Sequence, residues 1–238
     1  MPGLKVATYN TYRERKGRDP ALDDLLKEDA LICLQEVSIS RARELKRRFG
    51  PRVYLSWVTH GWQWLAIILP KDAQFTSRST RNLNSYFGLI PRIWSLLRTQ
   101  TLYPGRRHGW SDGLSPRAVQ VTEVLLQGRT FRAMNTHLPY EFGLRDRCLS
   151  LLSGLVGEGP VLLAGDLNAT PEDLFLRDFL LATGLQAAGD RRPTHNSKRR
   201  IDYVLHRDGF GCSFREVEYT TKKGRSDHRR VIVGLEVD

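Results

Sequence analysis

The 238-residue sequence predicts a single α/β domain in which sheets are covered by helices. Short runs rich in Val, Ile and Leu recur along the chain, and each stops at a polar residue. Amphipathic segments of helical period lie between them. No Gly/Ser linker, internal repeat or low-complexity tract divides the chain. Its 40% hydrophobic content is enough for a sizeable core and argues against global disorder.

The runs Val6–Asn10, Ala30–Glu36, Phe131–His137, Pro160–Asn168, Ile201–His206 and Val231–Val237 have the length and branched content of buried strands, and Leu65–Leu69 and Val119–Leu126 read as two more. Asp19 supplies an N-cap and Pro20 a first helical position before Leu22, Leu25 and Leu26. Ser40 opens a basic helix carrying Leu45 and Phe49, which Gly50-Pro51 stops. Leu144, Cys148, Leu151, Leu152, Leu155 and Val156 recur at helical spacing. Thr170-Pro171 opens a further helix through Leu181. Residues 78–116 are irregular and read as a long loop region with a short helix near Pro91–Arg98, the kind of segment that carries function in a compact domain.

Charge narrows the partners. The chain has 37 Lys+Arg against 26 Asp+Glu, giving a net charge of +11 and a pI near 9.9. That excess favours a polyanion, either nucleic acid or an anionic membrane surface. The three cysteines cannot all pair within one chain, and Cys33 and Cys148 lie in apolar patterns. No disulfide framework or metal-thiolate site is expected, which favours a reducing, cytoplasmic setting. No apolar run is long enough to span a membrane, and no leader pattern opens the sequence.

The chemistry sits where the strands stop. Asn10, Glu36 and His137 end three runs, and Asp166 with Asn168 ends a fourth. Asp202 starts Ile201–His206, and Asp227-His228 precede the last strand. If these ends share one edge, carboxylates, amides and imidazoles meet in one pocket. Magnesium favours such oxygen donors, one or two carboxylates with water and substrate phosphate completing its shell. Histidines beside them can move protons and offset phosphate charge.

Six short motifs occur in one order: Thr8-Tyr9-Asn10, Leu34-Gln35-Glu36-Val37, Asn135-Thr136-His137-Leu138, Gly165-Asp166-Leu167-Asn168, Ile201-Asp202-Tyr203 and Ser226-Asp227-His228. The set resembles the endonuclease/exonuclease/phosphatase superfamily, the deoxyribonuclease I-like fold, over the chain from residue 5 to its end. The resemblance implies a four-layer, two-sheet α/β sandwich with the site at one edge. It implies that Glu36 is the main magnesium ligand, with Asn10 beside it and Asp227 near the metal; manganese would substitute. Asp166 would orient or deprotonate the attacking water, and Asn168 would hold a phosphate oxygen. His228, oriented by Asp202, would contact the scissile phosphate or act as acid/base, and His137 would bind a phosphate oxygen.

The chain also departs from parts of that family. The apurinic-site repair branch has Tyr-Val-Pro-Asn where Asn135–Leu138 stand, and a Trp where Arg199-Arg200 precede the Ile-Asp pair. This places the chain nearer the branch holding deoxyribonuclease I, deadenylases and phospholipid-directed enzymes. The side chain expected to support His137 is Gln63, where deoxyribonuclease I has a Glu. Arg117 reads equally as a phosphate contact or as an exposed strand-edge residue.

Nucleic acid, with DNA favoured, is the substrate this sequence points to. Lys46-Arg47-Arg48, Lys198-Arg199-Arg200, Lys222-Lys223, Arg225 and Arg229-Arg230 offer phosphate contacts. Arg106 and Arg107 interleave with Trp94 and Trp110 in a segment suited to following a backbone and stacking bases. Inositol phosphates or phospholipid head groups are the alternative, with Ile90–Trp94 as an apolar hairpin. An inactive nucleic-acid-binding protein on the same fold is the weakest reading, because every expected polar position is filled.

Overall fold

The computed structural model describes residues 3–14, 17–58, 63–83, 117–190, 192–209 and 212–237. Among these, twelve strands form two six-stranded sheets flanked by helices, a four-layer α/β sandwich. The first sheet contains β1 (Leu4–Asn10), β2 (Leu31–Val37), β3 (Val53–Val58), β4 (Gln63–Ile68), β11 (Phe214–Lys223) and β12 (Arg229–Val237), in the order β11-β12-β1-β2-β4-β3. The second contains β5 (Ala73–Asn82), β6 (Ala118–Leu126), β7 (Arg129–His137), β8 (Val161–Asp166), β9 (Gln186–Ala187) and β10 (Asp202–Arg207), in the order β5-β6-β7-β8-β10-β9.

The two sheets follow one plan. Each has a central parallel pair, β1 with β2 and β7 with β8, and antiparallel neighbours on both sides. Helix α1 (Pro20–Leu25) joins the first pair and α3 (Phe142–Val156) the second. Helices α2 (Ile39–Phe49) and α4 (Leu174–Thr183) follow β2 and β8. Asn10 and His137 therefore occupy equivalent strand ends, one in each sheet.

Val6, Leu31, Cys33, Ile67, Val124, Phe131, Leu162, Val204 and Val233 fill the space between the sheets. Each such side chain contributes about 1.5–3 kcal/mol by leaving water. Leu22, Leu25, Leu45 and Phe49 cover the outer face of the first sheet, and Cys148, Leu149, Leu152, Val156, Leu176 and Phe179 that of the second. All three cysteines are free and buried. The apolar filling gives way, on the way to the site, to a buried polar network linking the sheets. Asn135 Nδ2 donates to Leu34 O, Ala66 O and Gln120 Oε1, each at 3.0 Å, while Gln35 Nε2 donates to Asn135 Oδ1 at 2.8 Å. Gln120 Nε2 in turn donates to Ser56 Oγ at 3.0 Å. A network satisfied at this density fixes how the sheets sit against each other.

Several elements differ from the sequence reading. Residues 78–82 belong to β5 rather than to the loop region, and 84–116 lie outside the described residues. The basic helix is capped by Ser38, whose hydroxyl accepts from Arg41 N, two residues before Ser40. Helix α4 starts at Leu174, because Asp173 rather than Thr170 accepts from a first-turn N–H. On α3 the buried stripe is Arg145, Cys148, Leu149, Leu152 and Val156, while Leu151 is exposed. The stripe is turned because a buried arginine occupies it.

Candidate active site

Strand register gathers the polar strand ends. His137 pairs with Asp166 across β7 and β8, and Asp202 pairs with Asp166 across β10 and β8, so three functional side chains form one row. Gly165 permits the approach: a Cβ there would collide with Thr136 O of β7. From the other sheet, Asn10 Nδ2 donates to Asp166 Oδ2 at 3.0 Å, closing the gap between the sheets. Glu36 and Asn168 both hold φ near +50°, a conformation that costs non-glycine residues energy and clusters at functional sites.

Asp166 is fully buried at the centre. Its Oδ1 accepts from Asn168 N at 3.0 Å, and its Oδ2 faces His137 Nε2 at 3.5 Å and His228 Nε2 at 3.7 Å. Burial pushes its carboxyl up to about 7, against the pull of His228 and the hydrogen bonds from Asn10 and Asn168. His228 shows the reverse balance. Burial lowers its pKa, but the carboxylates of Asp202, Asp166 and Asp227 outweigh that and raise it to about 10. The closest is Asp202, with both oxygens 3.0 Å from His228 Nδ1. The imidazolium is thus held by Asp202 with Nε2 turned to Asp166. Ser226 fixes the preceding turn, donating to Asn10 O at 2.8 Å and accepting from His228 N at 3.1 Å.

His137 has a different partner from the one expected. Its Nδ1 lies 3.1 Å from Arg117 Nη1, and Glu36 Oε1 is 3.9 Å away. A guanidinium only donates, so Nδ1 accepts and the ring proton lies on Nε2, toward Asp166. Gln63 lines the same crevice as Glu36, Arg117 and His137. Arg117 is buried, which removes the exposed strand-edge reading. Asn168 Nδ2 donates to Leu138 O at 2.8 Å, and Asn168 O accepts from Arg145 Nη1 at 2.7 Å. The other arm of Arg145 binds Asp173. Sequence reasoning missed Arg145, although a lone arginine on an apolar helical stripe is a visible signal. It missed His195 too, whose ring meets that of His228 edge-on with centroids 4.7 Å apart.

The donor set suits a hard divalent cation. Glu36, Asp227 and Asn10 offer oxygen donors of the expected kind, but Glu36 stands in neither of the close acidic-and-histidine groups formed among the described residues, and the cysteines are buried in the core. Asn10 Oδ1 already accepts from Tyr12 N at 3.0 Å, leaving one lone pair for an ion. His195, Asp227 and His228 approach closely enough to share an ion, as do Asp166, Asp202 and His228. In both groups His228 is engaged at Nδ1 by Asp202, which fits an imidazolium better than a ligand.

Two clustered arginines are structural. Arg200 is buried and spends its guanidinium on Ala188 O and Asp190 O, and Arg230 donates to Ala21 O at 2.6 Å. Neither is available to phosphate. Lys198, Lys222, Lys223 and Arg225 remain exposed, and Arg199 and Arg229 half-buried. Arg106, Arg107, Trp94 and Trp110 lie outside the described residues. Among the described residues, no helix is long and apolar enough to cross a membrane.

The chain belongs to the Endonuclease/Exonuclease/phosphatase family, whose model matches residues 7–228 and whose members are phosphoester hydrolases. Members of that family use divalent metals. No curated protein sequence matches the chain. Among solved structures it is similar to D. rerio TDP2 complexed with single-strand DNA product, with a TM-score of 0.70, 14% identity, and 98% of this chain and 99% of that one covered. It is similar also to a mannosyl-6-phosphatase of Bacteroides thetaiotaomicron, with a TM-score of 0.68, 17% identity and coverages of 98% and 99%. The human Nocturnin catalytic domain with bound sulfate gives a TM-score of 0.69, 16% identity and coverages of 100% and 94%. At these identities the likeness concerns the fold alone.

Proposed function

We propose that this protein is a magnesium-dependent phosphodiesterase that hydrolyses nucleic acid, DNA in preference. The observation that carries the substrate class is the run of cations beside Asp227 and His228 along the chain, Lys222, Lys223, Arg225 and Arg229, with Arg199 bonded to Ser197 in the neighbouring 194–199 turn, in a chain of net charge +11. Single-strand DNA product bound to D. rerio TDP2 supports the same reading. The mannosyl-6-phosphatase neighbour supports a small phosphomonoester as the alternative.

Glu36, Asn10 and Asp227 would hold the cation, whose chemistry when bound is to neutralise phosphoryl oxygens and orient the nucleophile. Asp166 aligns the attacking water and accepts its proton at Oδ2, the oxygen that faces both imidazoles. His228 offers an Nε2–H to the phosphate or the leaving oxygen, and Asp202 at Nδ1 keeps the imidazole charged. His137 donates from Nε2 to a non-bridging oxygen because Arg117 occupies Nδ1. Asn168 holds a phosphate oxygen, on a loop pinned by Arg145. Arg106, Arg107, Trp94 and Trp110 would extend the substrate surface by backbone contact and stacking.

Binding of an oligonucleotide to Asp166→Asn tests the substrate class. The logarithm of affinity should fall with the logarithm of salt with a slope of about −0.7 to −0.9 per neutralised phosphate. Arg199→Ala, and Arg106→Ala with Arg107→Ala, should flatten it. A salt-independent affinity would refute the reading.

A further inference from the structure

The turn Thr194–Arg199 folds over Asp202, Asp227 and His228. Thr194 Oγ1 accepts from Ile201 N and Asp202 N, each at 3.0 Å, and Asn196 N donates to Asp227 O at 2.9 Å. Inside it, every donor along one line of hydrogen bonds is fixed by chemistry. Ser197 N donates to His195 Nδ1 at 3.0 Å, and a backbone N–H can only donate, so Nδ1 carries a lone pair. Arg199 Nε donates to Ser197 Oγ at 2.9 Å, which turns the Ser197 hydroxyl proton toward His195 Nδ1 at 2.7 Å. The ring proton of His195 is therefore on Nε2, the atom 3.5 Å from Asp227 Oδ2. Asp227 Oδ1, on the other side of that carboxylate, lies 3.9 Å from His228 Nε2.

We propose that His195 is a positioning residue for Asp227: its Nε2–H holds Oδ2, turns Oδ1 into the site, and connects that carboxylate through Ser197 to the basic side chain of Arg199. Partners of this kind fix the orientation of a ligating carboxylate. Arg199 also packs over the Tyr140 ring, with its Cζ 5.2 Å from the centroid, so the outer end of the line is held. The edge-on contact with His228 makes His195 a ring that separates the imidazolium from solvent while serving its neighbour. The inference rests on the reading of Asp227 as a cation ligand, and its test separates the two.

His195→Phe keeps a ring against His228 and removes the donor, whereas His195→Gln places an amide N–H near the lost Nε2–H. Magnesium affinity of the metal-free protein, measured by calorimetry, should fall about 10- to 100-fold in His195→Phe and recover most of the loss in His195→Gln. Nitrogen NMR of the metal-free wild type should show His195 with a bare Nδ1 and a protonated Nε2. Unchanged magnesium affinity in His195→Phe while Asp227→Asn weakens it would overturn the role of His195 alone. Unchanged affinity in Asp227→Asn would overturn the ligand reading and this proposal with it. A bare Nε2 in the wild type, or equal losses in the Phe and Gln variants, would also reject the proposal.

Discussion

Replacing Asp202 by Asn perturbs the site at its best-defined contact. Both carboxylate oxygens lie 3.0 Å from His228 Nδ1, and Asp202 is fully buried. The rise of His228 from 6.5 to about 10 corresponds to a preference on the order of 5 kcal/mol for the imidazolium. Asp166 and Asp227 share in that preference, so one substitution does not remove it all. A hydrogen bond between charged groups is worth about 1.5–3 kcal/mol, so His228 in Asp202→Asn should titrate about one to two units lower. The new amide can also donate to Nδ1, which leaves a neutral ring with its proton on Nε2 and removes the imidazolium charge, and kcat should fall about 10²- to 10⁴-fold. Because the folded pKa is raised, the stability from His228 is fully present below pH 6.5 and lost as pH rises through about 10. The destabilisation in Asp202→Asn should therefore be largest below pH 6.5 and shrink toward pH 10. Histidine NMR titration of the metal-free protein, denaturant melts from pH 6 to 10 and steady-state kinetics measure the three effects. Identical His228 titration in both proteins, or a change in melting temperature with normal kcat, would refute the reasoning.

Two further perturbations probe the framework. Asn135→Leu leaves Leu34 O, Ala66 O and Gln120 Oε1 without their donor in a dry interior, and should cost on the order of 3 kcal/mol or more in urea melts; a loss below about 1 kcal/mol would contradict the network's structural role. His206 on β10 is buried with Nδ1 unpartnered, and burial lowers its pKa below 6.5. Its folded pKa is depressed, so stability present above pH 6.5 is lost as pH falls below that value, by up to about 1.4 kcal/mol per pH unit. His206→Phe should flatten the stability curve between pH 5 and 6.5, and superimposable curves would dismiss this source of acid sensitivity.

What the sequence disclosed follows from where the physics is local. Central strands are buried on both faces, so β1, β2, β7, β8, β10 and β12 stand out as apolar runs, and their terminal polar residues Asn10, Glu36, His137 and Asp166 stand out with them. Strands β3, β5, β9 and β11 escaped notice, and all four are sheet edges. Gln74–Asn82 and Arg215–Lys223 are largely exposed and carry little apolar pattern to read. Side-chain partners were harder still, because they depend on contacts between distant segments. Arg117 faces His137 where Gln63 was expected, Arg200 turns inward to backbone carbonyls, and His195 meets Asp227 only once the 194–199 turn has folded over β10 and β12.

The central claim is cation-dependent cleavage of nucleic-acid phosphodiesters at the Asp166–His228 centre. Purified protein should be incubated with single-stranded DNA, duplex DNA, RNA, inositol phosphates and sphingomyelin, each with magnesium and with a chelator, beside His228→Ala and Glu36→Ala. The account predicts cleavage of nucleic acid with magnesium, restoration by manganese after chelation, and losses of about two or more powers of ten in His228→Ala. Undiminished cleavage in the chelator or in either variant would contradict the site, and turnover of inositol phosphates or sphingomyelin with intact nucleic acid would contradict the substrate.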